Sequence, residues 1–319
     1  MKVLLTSILL CFSLSVPGQD LATGIQLFNS QQFDKAVKTL ELISSEDAGY
    51  ADARYYLGRI AYEQEDYEAA KGFFTAATKA NDTSSEYFTW LGHALGTLTN
   101  SVGKLRQATL APKIKNAYIR AVELDPDNLE AQWGLVRFYR EAPGFVGGSL
   151  EKAEQSAKEI LRIDPLDGHI ALSDVYLRQE QPEKAEAQYI AAAAIDQRRL
   201  AHLGIFYQNQ GWFDKAFDTF QNAFTLMPED MNLLYQIGRT SALSGERADL
   251  GIESLERYLR ETDEANASPS HAGAHMRLAM IYEKQGDFTK AKTFYQKALK
   301  GDPDMKLAKD GLKRVRKQG

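Results

Sequence analysis

His271 and His275 are spaced so that both could bind one metal ion, because side chains four residues apart lie on the same face of a helix. A zinc hydrolase uses such a pair as ligands, with a glutamate directly after the first histidine as the general base. Ala272 stands at that position, and the preceding Ser-Pro-Ser sequence indicates that a helix only begins there. We therefore expect a solvated or capping pair and no metal site.

Nucleophilic chemistry finds little support in the sequence. The single cysteine, Cys11, lies in the N-terminal apolar stretch, and the sequence contains no Gly-x-Ser-x-Gly turn. The acidic cluster at residues 63–68 falls at an expected turn, where carboxylates lack the cleft that separates the pKa values of an acid–base pair. We expect His93 and His202 to face a groove rather than to act as bases. The sequence therefore predicts no enzyme and no cofactor.

The most unusual stretch is EAPGFVGGSLEKAE, residues 141–154. Proline should end one helix there, the glycines permit a tight turn, and Ser149 is placed to cap the next helix, with Glu151 near its positive end. We expect Phe145 and Val146 to fold inward. A phosphate-binding loop would need a preceding strand and a following Lys-Ser/Thr pair, and both are missing from the sequence.

Three interpretations of this turn stay open. We favour an enlarged, self-packed turn; the alternatives are a docking edge and a catalytic loop. As a docking loop it would present Pro143, Gly144, Phe145, Val146, Gly147 and Gly148.

Residues 1–18 have the pattern of a secretory signal peptide, with Lys2, an apolar run over residues 3–16 and small residues before an expected cleavage after Gly18. The run is short for a helix that crosses a bilayer core of roughly 30 Å. An uncleaved anchor and a lipidated Cys11 are the alternatives. We expect an exported protein, in the periplasm or cell envelope or secreted, with no stable membrane span after cleavage.

The net charge is −5, from 38 basic and 43 acidic residues that are interspersed along the chain. The only basic cluster lies at residues 306–319, in a helix-like tail. Because binding to a phosphate backbone needs clustered Lys and Arg, we expect no nucleic-acid partner.

The rest of the chain repeats one pattern of paired amphipathic helices, clearest at residues 198–230. There, apolar residues recur at helical spacing, Gly211 interrupts them, and Pro228 closes the second helix. First helices share the pairs Leu57-Gly58, Leu91-Gly92, Trp133-Gly134, Leu203-Gly204 and Ile237-Gly238. Second helices share the small residues Ala36, Ala70, Ala185, Ala216 and Ala291, usually four residues before a large apolar one. Such residues let helices approach closely, and stacked copies bury the apolar faces.

The spacing of these residues resembles that of the tetratricopeptide repeat (TPR) family over nearly all of the chain after residue 18. The resemblance implies an all-α, right-handed helical solenoid of about eight repeats across residues 19–303, with a capping helix at residues 304–319. First helices should begin near Leu21, Ala51, Ser85, Asn128, Gly168, Arg198, Met231 and Ala272. Two repeats are longer, so we expect enlarged turns at residues 97–112 and 141–149, on the same edge of neighbouring repeats. The second turn also resembles one in exported bacterial repeat proteins.

In this family the first helices line a concave groove, and the resemblance makes their non-core residues candidates for binding a peptide or protein. The candidates are Tyr55, Arg59, Tyr62, Thr89, His93, Gln132, Asp174, Arg178, His202, Asn209, Tyr235, Gln236 and Arg239. Some members clamp the C-terminal carboxylate of a cytosolic chaperone with Lys and Asn residues. Those residue types are missing from the corresponding positions, so that partner is rejected.

The sequence therefore predicts a non-catalytic protein-interaction scaffold of the bacterial cell envelope that binds a partner of unknown identity in the groove. The alternative is a ligand- or carbohydrate-associated envelope component that acts through the inserted edge. An enzyme is the third class, and it would need a polar pocket.

Overall fold

The computed structural model describes residues 17–318. These residues form helices and short connections, without a β-strand anywhere in this range. The predicted signal peptide lies outside the described residues except for Pro17 and Gly18, which open the first helix. The all-α fold class is confirmed.

The chain divides into two compact units, residues 1–164 and 165–319. The described part of the first unit contains α1 (Pro17–Asn29), α2 (Phe33–Leu40), α3 (Tyr50–Glu63), α4 (Tyr67–Ala80), α5 (Ser85–Leu98), α6 (Lys104–Leu124), α7 (Leu129–Glu141) and α8 (Leu150–Ile163). The second contains α9 (Pro165–Arg178), α10 (Pro182–Ile195), α11 (Leu200–Gln210), α12 (Phe213–Leu226), α13 (Met231–Ser244), α14 (Ala248–Glu261), α15 (His271–Lys284), α16 (Phe288–Gly301) and α17 (Lys306–Val315). Each unit is a stack of helix hairpins, and the first helices begin within about one turn of the predicted positions.

Side chains just before the helices explain where several of them begin. Asp66, Ser84, Asn128, Ser149 and Ser270 each accept a hydrogen bond from a backbone N–H of the first helical turn. Such caps satisfy donors that have no partner inside the helix. The predicted cap at Ser149 is confirmed.

Most first helices pack closely on a second helix at the recurring glycine. A Cβ on Gly58 would lie 2.7 Å from Phe74 Cε1, and one on Gly204 would lie 2.4 Å from Phe220 Cε1. Tyr118 lies between two such glycines, since a Cβ on Gly92 or on Gly134 would meet its ring within 2.5 Å. Because each ring fills the space that a glycine leaves, the repeat pattern specifies the helix packing.

The last helix, α17, covers the end of the second unit. Ala308, Leu312 and Val315 are buried against α16, and a Cβ on Gly311 would meet the Tyr295 ring at 2.2 Å. Leu307 points away and is 60% exposed. This arrangement agrees with the capping role that the sequence predicts for this segment.

The predicted turn at residues 97–112 is wrong. Helix α5 continues to Leu98, a single 3-10 turn covers Thr99–Ser101, and α6 begins at Lys104. Most of the inserted residues therefore extend α6, and Pro112 lies inside it. Good helix formers on both sides of Pro112 continue the helix although proline cannot donate to its hydrogen-bond ladder.

The second insertion is a turn, as predicted. A 3-10 turn at Gly144–Val146 follows Pro143, and Gly147 has a φ of +106°. A Cβ on Gly148 would lie 1.7 Å from the carbonyl oxygen of Ala142, so only glycine fits. The expected inward position of Phe145 is wrong, since its side chain is 87% exposed.

Candidate protein-binding surfaces

Five predicted groove residues lie in the core, each between 1% and 7% exposed: Tyr55, Thr89, Gln132, Tyr235 and Gln236. Their prediction as non-core residues is wrong, because neighbouring helices cover these positions. The Tyr55 ring stacks on Tyr87 of the next first helix, with centroids 5.2 Å apart. Thr89 Oγ1 accepts a hydrogen bond from Asn128 Nδ2 at 3.1 Å. These side chains join one repeat to the next.

In the first unit, Arg59 and Tyr62 remain partly exposed around Trp90. The Arg59 guanidinium lies 3.7 Å from the centroid of the Trp90 ring, and its Nη1 donates to the Tyr55 hydroxyl at 2.8 Å. The Tyr62 ring meets Trp90 edge-on, and its hydroxyl is 2.8 Å from Thr97 Oγ1. A cation over an indole face is held in place and still presents its other edge to a ligand.

His93 continues this row of side chains. Its Nδ1 lies 2.9 Å from the Tyr118 hydroxyl, and its Nε2 lies 3.6 Å from Glu130 Oε2. Burial lowers the pKa of His93, and nearby Arg137 and Arg59 lower it further, while Glu130 opposes them. Since the ordinary histidine value is about 6.5, His93 is mainly neutral at pH 7 and fits a hydrogen-bonding role.

In the second unit the structure brings together Arg239 of α13 and Arg277 of α15. Burial lowers the pKa of Arg239, and the nearby positive charge of Arg277 lowers it further. Arg239 Nη1 donates a long hydrogen bond of 3.4 Å to Gln236 Oε1. Arg277 Nη1 reaches only the Met280 sulfur at 3.5 Å, and its buried Nε lacks a hydrogen-bond partner among residues 17–318.

Neither of these two arginines forms an ion pair with any carboxylate in the described part of the chain. Two neighbouring guanidinium groups repel each other, and partial burial strengthens the repulsion because it reduces screening. Arg277 was missed from the sequence because Ala279 replaces the glycine that marks most of the other first helices.

The remaining candidates in the second unit differ in their exposure to solvent. Arg178, His202 and Asn209 are exposed on α9 and α11, and Asp174 is half-buried. Tyr235 packs against Tyr258 with ring centroids 5.7 Å apart. Truncating Tyr235 would therefore disturb packing, so Arg239 and Arg277 are the better positions for testing binding.

The two insertions line one cavity of about 540 Å³ in the first unit, which we call the insertion cavity. Its walls come from the end of α5, the extended start of α6, α7 and the 141–149 turn. Ala108, Ala111, Ile114 and Phe138 form its apolar side, and Lys104 and Arg137 add positive charge. Residues of both insertions thus line the same cavity, although one of the insertions is helical.

His271 and His275 each contact a neighbouring side chain of the second unit. His271 Nε2 lies 2.8 Å from Thr262 Oγ1, and the His275 ring packs 5.9 Å from Phe294. Over residues 17–318, His, Cys, Asp and Glu side chains form no group of three that could hold a metal ion. Within the same range, the helices are too short or too polar to cross a membrane.

Comparison with known proteins identifies the family that this chain resembles. Models described as tetratricopeptide repeats match residues 27–91, 115–168 and 272–305. The chain is similar to superkiller complex protein 3 of Mus musculus, with 23% identity over 305 residues, which cover 93% of this chain and 18% of that protein. It is also similar to the protein O-mannosyl-transferase TMTC1 of Homo sapiens, with 27% identity over 175 residues, covering 53% of this chain and 19% of the relative.

The chain therefore spans about a fifth of the length of these two relatives. Among solved structures, the chain is similar to the C-terminal part of a TPR repeat-containing protein from Cytophaga hutchinsonii. The TM-score is 0.54 at 16% identity, and the match covers 92% of this chain and 99% of the other. At this identity the likeness concerns the fold alone.

Proposed function

Because this chain belongs to the tetratricopeptide repeat family, we propose that it is a non-catalytic protein-interaction scaffold of a bacterial cell envelope. Stacked hairpins of this kind present long surfaces that bind proteins or peptides. The exported location rests on the signal-peptide pattern of residues 1–18. The partner site lies on the first helices, as the family resemblance implies, and an acidic segment of the partner binds there.

One observation carries this proposal: Arg239 and Arg277 lie close together, partly buried, with no carboxylate paired to either in residues 17–318. A folded protein tolerates such repulsion at a cost in stability, and an acidic partner side chain would remove it. Arginine is also among the residue types that dominate binding at protein interfaces. An Asp- or Glu-containing peptide is therefore the chemistry that this surface fits.

The test is affinity capture from the envelope fraction of the native organism with the mature chain and two matched double variants. Arg239→Gln with Arg277→Gln removes the two groove charges. Arg260→Gln with Lys300→Gln removes two exposed charges from the second helices α14 and α16 and changes the net charge equally. We expect the first variant to lose the partner and the control to retain it. Equal capture by both variants would refute the groove proposal.

A second candidate function is a ligand- or carbohydrate-associated envelope component that acts through the inserted edge. The insertion cavity favours it, because both long repeats contribute to its walls. Thermal stabilisation by a ligand that is lost when Gly144 to Gly148 are trimmed would support this function, and stabilisation that survives the trimming would contradict it.

A further inference from the structure

Each insertion leaves one large apolar side chain exposed to solvent. Leu105, at the start of α6, is 89% exposed, and Phe145, in the 141–149 turn, is 87% exposed. Burial of such a side chain contributes roughly 25 cal/mol per Å² of apolar surface, and a ligand that covered it would gain this contribution. Phe145 lines the edge of the insertion cavity, and an exposed apolar side chain at a cavity is typical of a binding site.

The interior of the insertion cavity has an apolar side and a polar side. Ile114 and Phe138 are buried in its wall, while Thr97, Thr99 and Gln107 lie towards the connection between α5 and α6. Gln107 Nε2 donates to the carbonyl oxygens of Thr99 at 2.8 Å and Val102 at 3.2 Å, so it holds that connection in place. The walls are therefore preformed, and a volume of about 540 Å³ suits a small molecule.

The charge of the insertion cavity is positive. Lys104 and Arg137 line it, and neither forms an ion pair with a carboxylate within the described residues. The one acidic residue in the wall, Glu141, already accepts a hydrogen bond from Arg140 Nη2 at 3.1 Å. The neighbouring Arg106 is likewise paired with Glu68, outside the cavity.

Arg137 is placed where a ligand can reach it. Its guanidinium borders the Tyr118 hydroxyl and opposes the effect of burial, which raises the pKa of Tyr118 to about 12. Gly96 leaves space beside it, since a Cβ there would still be 3.9 Å from Arg137 Nη2. The planar fork of a guanidinium matches the two oxygens of a carboxylate.

We propose that the insertion cavity binds a small amphipathic carboxylate, a molecule with an apolar body and one carboxylate group. Its body lies along α6 and the 141–149 turn, with Phe145 at the rim, and its carboxylate lies on Arg137 with Lys104 nearby. This site lies in the first unit and is independent of the partner site at Arg239 and Arg277. Loss of one therefore leaves the other unaffected.

Isothermal titration calorimetry of the purified mature chain with two probes tests the proposal. Decanoate has an aliphatic body and 3-phenylpropionate an aromatic one, so their comparison identifies the kind of body that fits. Decyltrimethylammonium has a similar chain with the opposite charge and serves as the charge control. All titrations are made below the concentration at which the probes form micelles.

Four variants locate the binding. Arg137→Gln removes the charge, and Ala108→Phe fills the cavity. Their matched controls on α6 are Lys113→Gln, an exposed cation outside the cavity wall, and Thr109→Phe, at the exposed neighbouring position. Circular dichroism checks that each variant is folded.

We expect saturable binding of at least one carboxylate and little binding of the cation. Arg137→Gln and Ala108→Phe should each weaken binding by about tenfold or more, since a charge-assisted hydrogen bond and the cavity volume are lost, while both controls bind like the original chain. Binding of neither carboxylate would overturn the proposal. Equal binding by all four variants, or equal binding of the cation, would do the same, because it would indicate adventitious surfactant binding.

Discussion

The contact between Gly58 and Phe74 provides a quantitative test of the repeat packing. A Cβ at position 58 would lie 2.7, 2.8 and 2.9 Å from three atoms of the Phe74 ring, which is fully buried. Such a contact needs α3 and α4 to separate or the ring to leave its position. Overpacking of this kind costs about 1–3 kcal/mol.

Gly72 offers a matched control in the same helix hairpin, because a Cβ at that position would meet nothing within 4 Å. Replacing a helical glycine with alanine gains about 1 kcal/mol through helix propensity. Gly72→Ala should therefore stabilise the protein by up to about that amount. Gly58→Ala has the same gain together with the packing cost, so the two variants should differ by about 1–3 kcal/mol.

The measurement is urea unfolding of both variants, followed by circular dichroism, with the original chain alongside. Because repeat proteins can unfold in parts, the transitions should be compared at two probes, far-ultraviolet ellipticity and tyrosine and tryptophan fluorescence. Equal stabilisation by both substitutions would show that Gly58 does not mark a close contact, and the explanation of the repeat pattern would be wrong.

Three further predictions concern other positions. Gly204→Leu should lower the free energy of unfolding by about 1–3 kcal/mol or more, because even a Cβ there would lie 2.4 Å from Phe220; a neutral result in urea unfolding would mean that the helix register is wrong. Gly148→Ala should force the turn to rearrange, since its Cβ would lie 1.7 Å from the Ala142 carbonyl oxygen; faster amide exchange over residues 141–149 checks this, and unchanged exchange contradicts it. Burial lowers the pKa of His93, so the folded state binds its proton less tightly than the unfolded state and stability should fall as the pH drops below about 6.5. His93→Gln should flatten that part of the pH profile of urea unfolding, and an unchanged slope would exclude His93 as its cause.

The hairpin repeat could be predicted from the sequence because its physical causes are local. A glycine in the first helix and a ring in the second meet at fixed offsets, so Gly204 and Phe220 identify both the helices and their contact. Ser149 likewise caps α8 from a position that the neighbouring residues alone indicate.

The length of the repeat shows that residues are inserted at 97–112, but it does not decide whether they form a turn or extend a helix through Pro112. Its effect on the helix depends on the flanking residues, and these extend α6 on both sides of it. Phe145 was expected inside because bulky apolar residues usually are, but whether a turn covers its own side chain depends on tertiary space.

The candidate site was harder to predict, because exposure depends on the next helix. Tyr55 occupies a first-helix position, yet Tyr87 of the following repeat covers it. The absence of a counter-ion at Arg277 within residues 17–318 is a property of three-dimensional neighbours, and so is the positive cavity around Arg137. Spacing in one sequence cannot reveal either feature.

Site-specific photo-crosslinking in intact cells of the native organism would test the central claim most directly. A photoreactive residue placed at Asn209 lies on an exposed first-helix position of the second unit, and one placed at Gln221 lies on an exposed second-helix position. If the first helices bind a protein partner, Asn209 should crosslink it strongly and Gln221 should not. A partner crosslinked only from Gln221 would contradict the account.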